Sequence, residues 1–264
     1  MTRLRLARAA VLLLSISLIA ACGAPQDEDP RPKPPGEGTG VLYMHTGTNY
    51  EKGLYRLSTE DGAATRIGSG IVFSSGTPDG GLASLGQADA LVGSDSLELY
   101  EIPTDGAAPQ VAASGCGANG LAYDSVNEHL YRIIGSNLYR SDPETCATLA
   151  TIATSHALAG LAIDAVGQTL YGIGAADGNV YALDLSSGEP HTWVAVYDTG
   201  VSGWAGAGLA FDPDGEVLYA VGHPTDLPGL YRIDVAAQSM EHVGDTGVPR
   251  AYGGLAWHYE GEER

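Results

Sequence analysis

Seven histidines, three cysteines and 32 acidic residues offer the side chains for metal or acid–base chemistry, so their spacing is the first question. No His-x-x-x-His or Glu-x-x-His pair stands on a plausible helix, so a zinc site has no local support. No Gly-x-Ser-x-Gly elbow and no phosphate loop occurs either. Asp124, Asp164 and Asp212 recur at equivalent places and could be drawn as a ring of ligands. However, their sequels (Asp124-Ser-Val-Asn127, Asp164-Ala-Val-Gly167, Asp212-Pro-Asp-Gly215) are turn sequences in which an Asp side chain bonds nearby backbone amides. Leu85 and His258 break the ring at the two remaining places. No cofactor is expected.

The residues that vary where the chain otherwise repeats are the better candidates for recognition. Asn119, His156, Trp204, His223, Asp226, Arg250 and Tyr252 fall in connecting segments, as do Tyr50, Asp79 and Asp95. Loops carried on a rigid scaffold are where binding residues concentrate. Trp204 lies in the glycine-rich Gly200-Val-Ser-Gly-Trp-Ala-Gly-Ala207. There it can stack on a sugar or peptide, or else plug a central channel or pack between repeats. Glycosidase chemistry would need carboxylates at the starts of the innermost strands, which read Gly-Leu-Ala instead.

The elements that must hold these loops are legible from a repeat. Gly-Leu-Ala begins at Gly81, Gly120, Gly160, Gly208 and Gly254, at spacings of 39, 40, 48 and 46 residues, a period typical of propeller blades. Each copy leads to a second apolar stretch (Leu130-Tyr131, Leu170-Tyr171, Leu218-Tyr219), a third (Leu99-Tyr100, Leu138-Tyr139, Val180-Tyr181, Leu230-Tyr231) and a fourth ending near glycine. Four short strands parted by turn residues make one antiparallel sheet. Adjacent Leu and Tyr are both apolar because a blade is covered on both faces by its neighbours. The 37 glycines, about 14% of the chain against a usual share of about 7%, agree with many tight turns.

The ends of the repeat fix the count. Residues 41–69 supply three strands of a blade that lacks its Gly-Leu-Ala strand, and residues 254–264 supply that strand alone. The fold expected is therefore an all-β, five-bladed β-propeller of four-stranded antiparallel blades, closed by a C-terminal inner strand. Closure of this kind removes exposed sheet edges. The Gly-Leu-Ala-x-Asp and Leu-Tyr-x-Ile-Asp repeats over residues 41–264 resemble those of bacterial extracytoplasmic propellers, similar in style to the NHL and WD-repeat propellers. Such repeats serve binding, assembly and catalysis alike.

The first 21 residues read as an export signal. Arg3, Arg5 and Arg8 precede an uncharged run from Ala9 to Ala20, too short for a permanent span. The run leads into Leu18-Ile-Ala-Ala-Cys22, which resembles a bacterial lipobox and implies acylation of Cys22. Several acyl chains at about 0.8 kcal/mol per buried CH₂ would anchor the chain stably. Gly23 follows the cysteine, which favours the outer membrane or cell surface over the inner membrane. Residues 22–40, with five prolines between Pro25 and Pro35, read as an extended tether, leaving 41–264 as the propeller domain.

Charge narrows the partners. The net charge is −19, and three of the basic residues lie in the segment expected to be removed. So acidic a chain repels phosphate backbones, which argues against nucleic acid, and its dispersed acids suit a soluble, monomeric surface. Export also places Cys116 and Cys146 in an oxidising compartment, which favours a disulfide. Topology opposes it: Cys116 precedes an inner strand and Cys146 an outer one, apparently at opposite faces, while bridged Cα atoms must lie within about 7 Å. Two functional readings follow. One is a lipid-anchored, non-enzymatic envelope scaffold for a protein or glycan ligand. The alternative is a metal-dependent hydrolase or lyase in which Asp79, Asp95 and Asp226 converge on the loop face.

Overall fold

The computed structural model describes residues 38–46, 52–68, 80–86, 90–188, 190–222, 228–249 and 253–260. The signal segment, Cys22, nearly all of the tether, His223, Asp226, Arg250 and Tyr252 lie outside them. Twenty strands form five four-stranded antiparallel sheets, and the described residues contain no helix. Blade II is β4 (Leu82–Ser84), β5 (Ala90–Ser94), β6 (Glu98–Pro103) and β7 (Gln110–Ser114). Blade III is β8 (Gly120–Asp124), β9 (His129–Ile134), β10 (Asn137–Ser141) and β11 (Thr148–Ala153). Blade IV is β12 (Leu158–Asp164), β13 (Thr169–Gly174), β14 (Asn179–Asp184) and β15 (Val194–Asp198). Blade V is β16 (Gly208–Asp212), β17 (Val217–Gly222), β18 (Gly229–Asp234) and β19 (Ser239–Gly244).

Blade I closes the ring in the way the repeat count requires. Its order is β20-β1-β2-β3, where β1 (Thr39–Thr46), β2 (Gly53–Leu57) and β3 (Ala64–Ile67) come from the start and β20 (Leu255–Glu260) from the end. The register sets Leu42 against Trp257 and Met44 against Leu255. His45 locks the joint: its backbone N–H donates to Gly254 O at 3.1 Å and its Nε2 donates to Gly81 O at 3.0 Å. The protein is a five-bladed β-propeller.

Burial follows position in the blade. In the second strands both members of the Leu-Tyr pair are shielded, as at Leu42-Tyr43, Leu130-Tyr131 and Leu218-Tyr219, because each face meets another blade. Third-strand tyrosines reach the turn before them: Tyr100 donates to Asp95 and Tyr181 to Asp177, so a buried ring keeps a satisfied hydroxyl. Outer strands such as β7 and β11 are largely exposed. The repeated aspartates close turns. Asp124 Oδ1 accepts the amides of Val126 and Asn127, Asp164 that of Gly167, and Asp212 those of Asp214 and Gly215. Glu128, Gln168 and Glu216, each four residues later, take φ near +50°, the left-handed step that returns the chain into the next strand.

A second repeated contact joins the blades at their rims. The turn between third and fourth strands of each blade leans on the outer strand, or the segment just after it, of the preceding blade. Gly62 of blade I meets Gly244 of blade V, and Gly106 of blade II meets Gly68 of blade I. Gln238 of blade V donates to Val196 O of blade IV. At the matching place between blades II and III stand Cys116 and Cys146, joined as a disulfide with Cα atoms 6.2 Å apart. The expectation that they lie on opposite faces fails because strand twist of about 20–25° per step accumulates across a blade. By the outer strand, what began as one face has turned sideways toward the neighbour.

Candidate functional site

The inner strands line the axis, and their sequence makes the channel narrow at one end and open at the other. Where the strands begin, each glycine of Gly-Leu-Ala abuts the next inner strand. A Cβ on Gly208 would stand 2.5 Å from Gly253 O and 2.7 Å from Leu255 N. On Gly160 it would stand 2.8 Å from Ala207 O, and on Gly120, 3.0 Å from Leu161 N. Gly81 meets Leu121 N and Gly254 meets Leu82 N in the same way, so the contact runs round the ring. Any other residue would push backbones apart. Leu82, Leu121, Leu161, Leu209 and Leu255, all buried, follow directly, and this end holds no space for water.

Toward the other end, where inner strands turn into second strands, the channel widens to a cavity of about 440 Å³. That size suits a small ligand. Its wall is set by the fourth position of each repeat, which reads Ser84, Tyr123, Ile163, Phe211 and Trp257 in blades II, III, IV, V and I. These side chains are half-buried, in contact with the neighbouring blade on one side and the cavity on the other. Phe211 stacks on Tyr171 with centroids 5.9 Å apart, and Trp257 on Tyr219 at 6.0 Å and 3° between planes. Hairpin residues Ser125, Val166 and Pro213 form the rim.

The polar part of the wall is concentrated between blades I and II. Ser84 Oγ lies 2.9 Å from His258 Nδ1 and accepts the Gly86 amide at 3.2 Å. His258 is fully buried, with the Tyr43 ring edge-on at 5.9 Å. Tyr259 also borders the cavity. Burial, helped by the carboxylate of Asp214, pushes its phenol up to about 12, so it stays a neutral hydroxyl at physiological pH. Among the described residues, Asp164 is the one carboxylate on the wall and no lysine or arginine lines it.

The described loop residues singled out from sequence, Asn119, His156, Trp204 and Asp95, lie elsewhere. Asn119 sits at the narrow end and accepts the Gly135 amide at 3.4 Å. His156 stacks on Tyr181 with centroids 4.0 Å apart. Trp204 is wholly buried, its Nε1 donating to Val201 O at 3.2 Å and its ring edge-on to Tyr231 at 5.3 Å. It packs in the seam between blades IV and V, the packing role weighed against stacking on a ligand. These three residues engage blade III, blade IV and the IV–V seam, so they are spread round the ring rather than gathered. Asp95 is buried and accepts the amides of Leu97 and Glu98 and the Tyr100 hydroxyl. Asp79 and Asp226 lie outside the described residues, among which no group of three metal-binding side chains forms. The sequence reading passed over Ser84 and the fourth positions. The signal was there: it is the position of the repeat whose size and polarity vary from blade to blade.

No protein-family model and no curated protein matches the sequence. Among solved structures the chain is similar to a chain in the crystal structure of a nidogen/laminin complex, with 16% identity and a TM-score of 0.51 over 83% of this chain and 98% of that one. It is also similar to Myxococcus xanthus glutaminyl cyclase, with 17% identity and a TM-score of 0.48 over 73% and 93%. The first likeness concerns the fold alone, and the second is too distant to carry any argument. The propeller fold is compatible with a binding scaffold.

Proposed function

We propose that the chain is a binding module of the cell envelope, anchored through acylated Cys22 at the outer membrane or cell surface, that grips a group of a protein or glycan partner in its central cavity. The observation that carries this reading is the cavity itself: about 440 Å³, open at the hairpin end, with a wall that differs in every blade. A repeat serving only as scaffold would have no cause to vary its lining while holding Gly-Leu-Ala constant. The lipobox-like Leu18-Ile-Ala-Ala-Cys22 and the proline-rich tether support the location.

Whole cells provide the test. Wild-type chain is expected in the membrane fraction with a diacylglycerol-modified Cys22 by mass spectrometry, and Cys22→Ala outside it. A photoreactive residue at rim position Ser125 should give a discrete adduct that one at Asn119, at the narrow end, does not. An unmodified mature N-terminus anywhere other than Cys22 refutes the anchor. Adducts at position 119 alone refute the site.

A further inference from the structure

We infer that the cavity takes an uncharged, ring-bearing group with a hydroxyl, and that Ser84 and His258 are its anchor. This deepens the function proposed above and rests on its placement of the site. Two departures from the repeat carry the argument. Four blades fill the fourth position with Tyr123, Ile163, Phe211 or Trp257, and blade II alone has the small Ser84. Three blades place a turn-closing aspartate at the fifth position and blade II the apolar Leu85, whereas blade I places the polar His258 there. Although 174 residues apart in sequence, the two exceptions meet at a single seam of the cavity, at hydrogen-bond distance.

The chemistry of the occupant follows from what the wall offers. Leucine, alanine and aromatic side chains make most of it, which rewards an apolar ring body, so of the two partner classes named above the wall favours a group on a protein over a polyhydroxylated sugar whose hydroxyls would go unpaired. The Ser84 hydroxyl has one donor and two acceptor positions. Gly86 N–H takes one and His258 another, which among the described residues leaves a third for a ligand hydroxyl. Among the described residues no lysine or arginine lines the cavity while Asp164 does, and the chain is strongly acidic. An anion would therefore be desolvated against like charge without a partner.

Three compounds with one ring body separate these claims: 1-naphthol, naphthalene and 1-naphthalenesulfonate, titrated by tryptophan fluorescence into the purified full chain against a detergent blank. 1-Naphthol should bind 1:1 and at least tenfold more tightly than the sulfonate. Ser84→Ala should weaken 1-naphthol by roughly 2- to 10-fold, the worth of one net hydrogen bond, and leave naphthalene unchanged. Ser84→Phe, which restores the size found in the other blades, should abolish binding of both while the urea midpoint holds. If that variant does not fold, the naphthol–naphthalene difference in Ser84→Ala decides alone.

Binding of 1-naphthol that Ser84→Ala leaves intact overturns the anchor but not the cavity as the binding site. Equal affinity for the sulfonate overturns the charge argument. If none of the three compounds binds, the cavity reading fails together with the site proposed above. N-acetyl-tyrosinamide, run in parallel, distinguishes a phenol presented by a partner protein from a free small molecule.

Discussion

Replacing His45 should change how stability depends on pH, by an amount set by the burial of its ring at the joint that closes the propeller. His45 has no exposed surface. Burial drives its pKa down to about 4, against partly compensating backbone acceptors at Gly81 and Gly80 and the charge of Asp95. In the unfolded chain it titrates near 6.5. Between these values the unfolded state binds the extra proton, so stability rises with pH through the window. The contribution is fully present above about pH 6.5 and falls as pH drops, levelling off below about 4. At 1.36 kcal/mol per unit, the whole shift amounts to about 3 kcal/mol, and the slope near pH 5.5 to about 1.2 kcal/mol per pH unit.

His45→Gln keeps an N–H donor for Gly81 O but cannot titrate. Urea unfolding followed by tryptophan fluorescence at pH 4.5, 5.5, 6.5 and 7.5 should show wild type losing about 2–3 kcal/mol more than the variant between pH 7.5 and pH 4.5. One carboxylate reaches toward the window, since burial raises Asp212 above the ordinary carboxylate range, but it titrates alike in wild type and His45→Gln and drops out of the difference between their curves. Hydrogen bonds from Ser58, Thr145 and Ser186 hold Asp61, Asp142 and Asp184 below the ordinary carboxylate range, so their contributions are lost only at lower pH. Parallel curves for wild type and His45→Gln between pH 6.5 and 4.5 would refute the buried, neutral imidazole and the joint built on it.

Three further outcomes follow from the ring. Gly208→Ala forces a Cβ against Gly253 O and Leu255 N and should cost about 1–3 kcal/mol by urea midpoint; Gly188→Ala, with nothing within 4 Å, should cost nothing measurable. Replacing Cys116 and Cys146 together by alanine opens a bridge spanning 30 residues and should lower unfolding free energy by about 3–4 kcal/mol, with reductant sensitivity confined to the wild type. Deleting residues 254–264 removes β20, the inner strand of blade I. It should abolish cooperative thermal unfolding in circular dichroism; an unchanged transition would mean the ring does not depend on that strand.

Five copies of Gly-Leu-Ala, the Leu-Tyr pairs and the stranded copy at Gly254 determined the fold by themselves, down to which ends of the chain join. The reason is physical: each blade must be apolar on both faces, turn sharply four times and shrink to glycine where backbones converge. Every one of those demands leaves a local mark in sequence. The turn role of Asp124, Asp164 and Asp212 was legible for the same reason, since an aspartate bonding amides two and three residues on is a local event. Tertiary structure alone decided the rest. Trp204 in a glycine-rich loop has the same sequence whether its ring faces solvent or a seam, and only the packing of blades IV and V buries it. Cys116 meets Cys146 through twist summed over a whole blade, which no single strand records. Ser84, which the sequence reading passed over, and His258, which it took only as a break in the aspartate pattern, acquire a shared meaning because ring closure sets the last inner strand beside the first.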